Sequence, residues 1–140
     1  MKTLGIDVGS SSVKVSLLDV ATGECAGAVT LPSAEMPIDA PQPGWAEQDP
    51  RMWWNYVREG VRTLVARAGG AGTVKAIGIT YQMHGLVCLD EAGEPLRKSI
   101  IWCDSRAVEI GDRAFDALGH DRCLERLSNS PGNFTASKLA

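Results

Sequence analysis

The sequence is poor in metal-binding and redox groups. It has four cysteines and two histidines in 140 residues, and no C-x-x-C pair. Cys25, Cys88, Cys103 and Cys123 are widely spaced in apolar surroundings. With only His84 and His120 to join them, a zinc site is not expected. Free thiols point to a cytoplasmic protein. No apolar run approaches the ~18 residues of a membrane span. The N-terminus lacks the charged segment, apolar run and cleavage site of a secretion leader. Lysine and arginine number 14 against 17 aspartates and glutamates, a net charge of −3. The arginines are scattered over predicted helices, so no nucleic-acid surface is expected. No G-x-x-x-x-G-K occurs, which excludes the lysine-bearing P-loop. No helix follows the first glycine turn, which excludes a dinucleotide fingerprint.

What remains is ordinary for a soluble globular protein: 44% hydrophobic and 22% charged residues. The length suffices for one domain with a real core. The stretch that organises the rest is Leu4 to Asp19. Two β-type runs, Leu4 to Val8 and Val13 to Leu18, flank a polar turn. Gly9 lets the backbone turn sharply. Ser10, Ser11 and Ser12 then offer hydroxyls and unshielded N–H groups, a cradle for phosphate oxygens. Asp7 stands at the mouth of the turn, where a carboxylate beside phosphates typically holds magnesium. Read alone, the same residues also make a plain β-hairpin with a solvated aspartate.

The chain in order predicts a strand over Thr3 to Val8, a second over Val13 to Asp19 and a third over Cys25 to Leu31. Together they form an antiparallel meander. Pro32 to Asp49 carries Pro32, Pro37, Pro41 and Pro43, which exclude regular ladder pairing. It reads as a long connecting loop, with Trp45 packing it down. Asp49 and Pro50 start a helix as N-cap and first residue. Trp53, Val57, Val61, Leu64, Val65 and Ala68 share its apolar face, and both Trp53 and Trp54 read as core. Gly69-Gly70 ends it. Val74 to Thr80 is continuously apolar apart from Lys75, as in a central strand covered on both faces. A short strand over Leu86 to Leu89, a turn at 90–95 and an apolar run at Ser99 to Trp102 follow. Asp104 is expected to cap a helix bearing Ala107, Gly111, Ala114, Phe115 and Leu118, closed by Gly119. Asp121 is expected to cap a second short helix, and Thr135 a third that has barely begun at Ala140. The unfinished pattern of Phe134 and Leu139 suggests a module of a longer protein.

Two further polar clusters lie at strand ends. Gln82-Met83-His84-Gly85 offers hydrogen-bonding groups suited to hydroxyls and a soft apolar wall. Trp102-Cys103-Asp104-Ser105-Arg106 offers an aromatic face for a sugar's C–H surface and a carboxylate for its hydroxyls. Each also has a structural reading: a satisfied histidine, a buried tryptophan, a capping aspartate.

In order along the whole chain, Gly5-Ile6-Asp7-Val8-Gly9-Ser10-Ser11-Ser12-Val13-Lys14, Trp45-Ala46-Glu47-Gln48-Asp49-Pro50, Gln82-Met83-His84-Gly85 and Ile101-Trp102-Cys103-Asp104-Ser105-Arg106 resemble the FGGY carbohydrate kinase family. Within it, Gln82-Met83-His84-Gly85 is most similar to the xylulose kinases, as is Pro131 to Leu139. Glycerol kinases carry an Arg-Glu pair where Met83 and His84 stand.

The resemblance implies an α/β, ribonuclease-H-like, actin-type ATPase fold. Family members have two such domains, with sugar and ATP meeting between them. Residues 1–140 would be an incomplete N-terminal kinase domain. ATP and magnesium are the implied cofactors. Asp7 would support the metal, and Gly9, Ser10, Ser11, Ser12 and Lys14 would approach the phosphates. Gln82, Met83, His84, Trp102 and Asp104 would serve the sugar, D-xylulose being the first choice. The catalytic base is expected beyond residue 140, in a Gly-Asp motif, so this portion alone is expected to be inactive. A homodimer is compatible with this reading. A kinase for another ketose or polyol, and a non-catalytic sugar- or nucleotide-binding regulator on the same scaffold, are the alternatives.

Overall fold

Strand β2 (Val13–Asp19) alternates buried and exposed side chains along its length, the period-2 pattern of a strand with one face on a core. The computed structural model describes all 140 residues, in two compact units. One comprises Met1–Pro37 and Pro50–Gln82, the other Ile38–Asp49 and Met83–Ala140.

In the first unit, β1 (Lys2–Val8), β2 and β3 (Cys25–Leu31) form the expected antiparallel meander. The sheet order is β3-β2-β1 with a fourth strand, β5 (Val74–Tyr81), beyond β1. Register places Leu4 opposite Leu17, Ile6 opposite Val15 and Val8 opposite Val13, so all six share one face. Helix α1 (Pro50–Arg67) lies over that face, chiefly on β2 and β3. Leu64 is fully buried among Leu4, Ile6, Val13, Val15 and Leu17, with Trp53, Val57, Val61, Val65 and Ala68 packed around them. Gly60 permits the close approach: a Cβ there would lie 2.7 Å from Val15 Cγ2. Trp54 departs from the expectation. It is 61% exposed, because adjacent helical positions diverge by about 100° and only Trp53 lies on the stripe.

Strand β5 (Val74–Tyr81) runs parallel to β1, with Ile77 beside Leu4 and Ile79 beside Ile6. It is not the doubly covered central strand that its apolar run predicts. It forms the edge of this sheet, and Ile77, Ile79 and Tyr81 are 59%, 65% and 69% exposed. The helix sits over β2 and β3 and does not extend across it.

In the second unit the proline-rich loop does enter a ladder, contrary to expectation. Strand β4 (Glu47–Gln48) pairs antiparallel with β6 (Ser99–Ile100). Both residues of β4 lie after the last loop proline, so their N–H groups are free to pair. The expected strand over Leu86 to Leu89 reduces to isolated bridges, Leu86 to Ile100 and Leu89 to Pro95. Helices α2 (Val108–Leu118), α3 (His120–Leu127) and α4 (Thr135–Leu139) follow. None of Asp104, Asp121 and Thr135 caps its helix. The caps are Ala107, Gly119 and Phe134, without side-chain hydrogen bonds. Gly111 of α2 approaches the 129–133 loop so closely that a Cβ would overlap the Gly132 carbonyl. No helix is long and apolar enough to cross a membrane.

Candidate functional site

The first group of site residues belongs to the sheet of the first unit. Asp7 on β1 and Lys14 on β2 are register partners, so both side chains leave the sheet on the face opposite α1. Lys14 Nζ stands 3.8 Å from Asp7 Oδ2, with both side chains about half exposed. The turn between them is closed by the Gly9 N–H donating to the Ser12 carbonyl at 3.0 Å. The Ser11 carbonyl accepts from the Met36 N–H at 2.8 Å. On this face Gly5, Asp7, Lys14, Ser16, Thr30 and Thr80 line a groove of about 580 Å³. Small and polar side chains leave the space, because large apolar ones project to the α1 side.

Asp7 fits magnesium in one particular way. No group of three metal-ligating side chains exists in the chain, so a protein-only cage is not available. Magnesium sites are commonly built from one or two carboxylates plus phosphate oxygens and water. A single exposed carboxylate beside a polar turn suits that type.

Gln82 ends the first unit. Its N–H donates to the Val8 carbonyl at 2.9 Å. Both atoms of its side-chain amide are buried without a hydrogen-bond partner. Such an amide costs about 1–3 kcal/mol until a partner is supplied.

The second group belongs to the other unit. Met83 and Trp102 are 63% and 53% exposed, so both present apolar surface. His84 has φ 63°, a left-handed conformation unusual for a residue with a Cβ. Its ring stacks on Phe134, with centroids 3.7 Å apart and planes within 5°. Lys138 Nζ donates to the His84 carbonyl at 2.8 Å and to the Asn133 carbonyl at 2.7 Å. Thr135 Oγ1 donates to the Gly85 carbonyl at 3.0 Å. Burial pushes the Lys138 ammonium below its ordinary value, against the opposing pull of Asp104.

Asp104 is placed differently from Trp102. It is fully buried, and its oxygens are taken by neighbours. Oδ2 accepts from the Ala46 N–H at 2.6 Å and from Arg106 Nη2 at 2.7 Å. Oδ1 accepts from the Arg106 backbone N–H and from Nε, both at 2.9 Å. Burial pushes its carboxyl up, but the Arg106 guanidinium and the two N–H groups outweigh it and hold the group below the usual carboxylate range. Arg106 Nη2 also reaches Glu47 Oε1 at 2.7 Å, where Arg97 Nη2 meets it at 2.6 Å. The geometry gives Asp104 the task of holding Ala46 and Arg106, while Trp102 is 53% exposed.

Sequence reasoning missed the holding residues: Arg106, Arg97, Phe134, Thr135 and Lys138. The Asp-x-Arg spacing of Asp104 and Arg106 was a usable signal for one pair. The partners that Lys138 and Thr135 find at His84 and Gly85 lie about fifty residues away, and no local pattern announces them.

Residues 2–139 match the FGGY family of carbohydrate kinases, N-terminal domain. A xylulose kinase from Streptomyces rubiginosus is 34% identical over 139 residues, 98% of this chain and 27% of that protein. The L-xylulose/3-keto-L-gulonate kinase of Escherichia coli is 39% identical over 108 residues, 76% of this chain and 21% of its own length. Among solved structures, a xylulose kinase from Brucella ovis superposes with a TM-score of 0.84 at 32% identity, covering 99% of this chain and 28% of that one. The chain therefore spans about 27% of the length of the first of these relatives.

Proposed function

Because the chain belongs to the FGGY family of carbohydrate kinases, we propose that its parent protein transfers the γ-phosphoryl group of ATP to D-xylulose, giving D-xylulose 5-phosphate. The mixed sheet, a β3-β2-β1 meander with β5 parallel to β1, is that of the actin-like ATPase fold. The observation that carries the choice of sugar is the xylulose kinase match over 98% of the chain. The exposed Met83 and the held His84 are consistent with it.

In this reading Asp7 holds magnesium, which when bound neutralises charge on the phosphate oxygens. The N–H groups of the Gly9–Ser12 turn and the Lys14 ammonium donate to those oxygens. Met83 and Trp102 cover the C–H surface of the sugar. His84 exchanges hydrogen bonds with its hydroxyls. Asp104 and Arg106 act one step back, fixing the backbone from which Trp102 projects. The base that accepts the hydroxyl proton belongs to the remaining length of the parent protein.

A second reading, a kinase for a different ketose, is favoured by the 39% identity to the L-xylulose/3-keto-L-gulonate kinase. A coupled assay of ADP release by the parent protein separates the two. The proposal expects the highest kcat/KM with D-xylulose, against L-xylulose and 3-keto-L-gulonate. A higher value with either competitor transfers the function to that ketose. No sugar-stimulated ADP release with any ketose or polyol leaves a binding or regulatory protein on the same scaffold.

A further inference from the structure

We propose that Phe134, Thr135 and Lys138 are positioning residues for His84, gripping the 84–85 backbone and the imidazole so that the ring faces the sugar in one orientation. The statement about the sugar rests on the kinase reading above; the grip itself does not.

Three observations converge. A non-glycine residue at φ 63° is disfavoured by about 1–2 kcal/mol and persists only where its surroundings over-determine it. Here one short segment supplies three restraints within two residues. Lys138 holds the His84 carbonyl, Thr135 holds the next carbonyl and Phe134 holds the ring. Holding the carbonyls of 84 and 85 restrains the backbone that leaves His84, and together with φ 63° this limits the direction of its Cα–Cβ bond. The stacked phenyl ring then removes the remaining rotation of the imidazole.

The chemistry of Lys138 is the second argument. It is 8% exposed, and both its hydrogen-bond partners are backbone carbonyls. A buried ammonium is costly unless fully hydrogen-bonded. An apolar residue would tie α4 down at less expense, but it would not orient a carbonyl. A charge-assisted N–H···O bond does, and it is roughly twice as strong as a neutral one.

The third argument is the location of the free surface. The stack occupies one face of the imidazole, while Met83 beside it is 63% exposed. A ring held flat on a phenyl group offers its edge nitrogens to a ligand and cannot turn away from it. Orientation of this kind changes how well a substrate is placed, and misplacement by about 1 Å can cost on the order of a hundredfold in rate.

The test uses the parent protein with its histidines labelled at 13Cε1, together with steady-state kinetics in sugar and in ATP. Phe134→Leu keeps an apolar side chain and leaves Lys138 and Thr135 in place. It is expected to move the His84 Hε1 resonance downfield, because the ring current of the stacked phenyl is lost. It should also lower kcat/KM for the sugar about tenfold or more, with KM for ATP unchanged. Phe134→Tyr keeps the ring and should restore both. Lys138→Met should shift the same resonance, and Lys138→Arg should recover part of the loss. A His84 resonance that stays put in Phe134→Leu overturns the grip, whatever the kinetics show. A resonance that moves while kcat/KM for the sugar stays at the wild-type value overturns the positioning role. If the unmutated protein shows no sugar-dependent turnover but the resonance moves, the kinase reading fails and the grip on His84 stands.

Discussion

The Arg106 guanidinium lies 3.7 Å above the Trp45 ring. That contact joins two segments of the second unit that are sixty-one residues apart in sequence. The carboxylates of Asp104 and Glu47 each lie 2.7 Å from Arg106 Nη2. The arginine is thus covered by an aromatic face on one side and satisfied by two anions in its plane, which a planar fork can do and an ammonium cannot. The carboxylates in turn hold the loop containing Trp45 and the strand β4.

Removing the central anion should therefore cost far more than a surface ion pair does. Asp104→Ala leaves the Ala46 N–H and the buried guanidinium short of partners. The expected loss is about 3–5 kcal/mol, the range for breaking one side of a buried pair. Arg106→Lys should lose a large part of the same energy, because it cannot span both carboxylates. Urea unfolding of each variant measures this. A loss below about 1 kcal/mol in Asp104→Ala would show that the network is solvated and weak.

Acid should act on the same residue. The folded-state pKa of Asp104 lies below its ordinary value. Its contribution to stability is then fully present above the unfolded carboxylate pKa of about 4 and disappears as pH falls through the lower, folded value. Stability measured between pH 6 and pH 2 should decline on the acid side. Asp104→Asn should remove part of that slope while starting from a lower plateau. An unchanged slope in the variant would assign the acid sensitivity to other carboxylates.

The two tryptophans of α1 show how far the sequence carried the fold. The 3.6-residue stripe through Trp53, Val57, Val61 and Leu64 was legible, because a period over several turns averages out any single residue. Trp54 was not, because an aromatic next to the stripe looks as apolar as one on it. Strand β2 was legible for the same reason as the stripe. Strand β5 was misread because its continuous apolar run says only that both faces are fit for burial, and says nothing about what covers them. At the site, Asp7, Met83, His84 and Trp102 could be marked as candidates from local patterns, and Lys14 only through the family resemblance. The burial of Asp104 could not, since it depends on Ala46 and Glu47, which come into place through tertiary folding. Capping by Asp104 failed as a prediction because its carboxylate found a guanidinium two residues ahead, a stronger partner than the open N–H groups of a helix end.

Leu64 and Trp54 give that lesson a measurable form. Leu64 is fully buried, and Trp54 is 61% exposed. Leu64→Ala should cost about 2–5 kcal/mol, as expected for a core truncation. Trp54→Ala should stay within about 0.5 kcal/mol, despite the larger side chain removed. Paired denaturation curves decide it. A larger loss at Trp54 than at Leu64 would mean that the exposed ring is covered in the protein as it exists.

Asp7 offers the sharpest functional prediction, because its position along the chain separates it from the residues proposed to meet the sugar. It lies on the sheet face opposite α1, beside Lys14 and the closed Gly9–Ser12 turn. If that face receives the phosphates, a change there alters transition-state charge and leaves the recognition of hydroxyls untouched. Asp7→Ala in the parent protein should then reduce kcat by about a hundredfold or more, while KM for the sugar changes little. His84→Ala should do the reverse, raising KM for the sugar more than it lowers kcat. Raising the magnesium concentration should recover part of the activity of Asp7→Asn, which keeps an oxygen ligand, and little of that of Asp7→Ala. Wild-type turnover in Asp7→Ala would remove Asp7 from the reaction. It would leave the Asp7–Lys14 pair as a surface contact between neighbouring strands, of the kind worth at most about 1 kcal/mol.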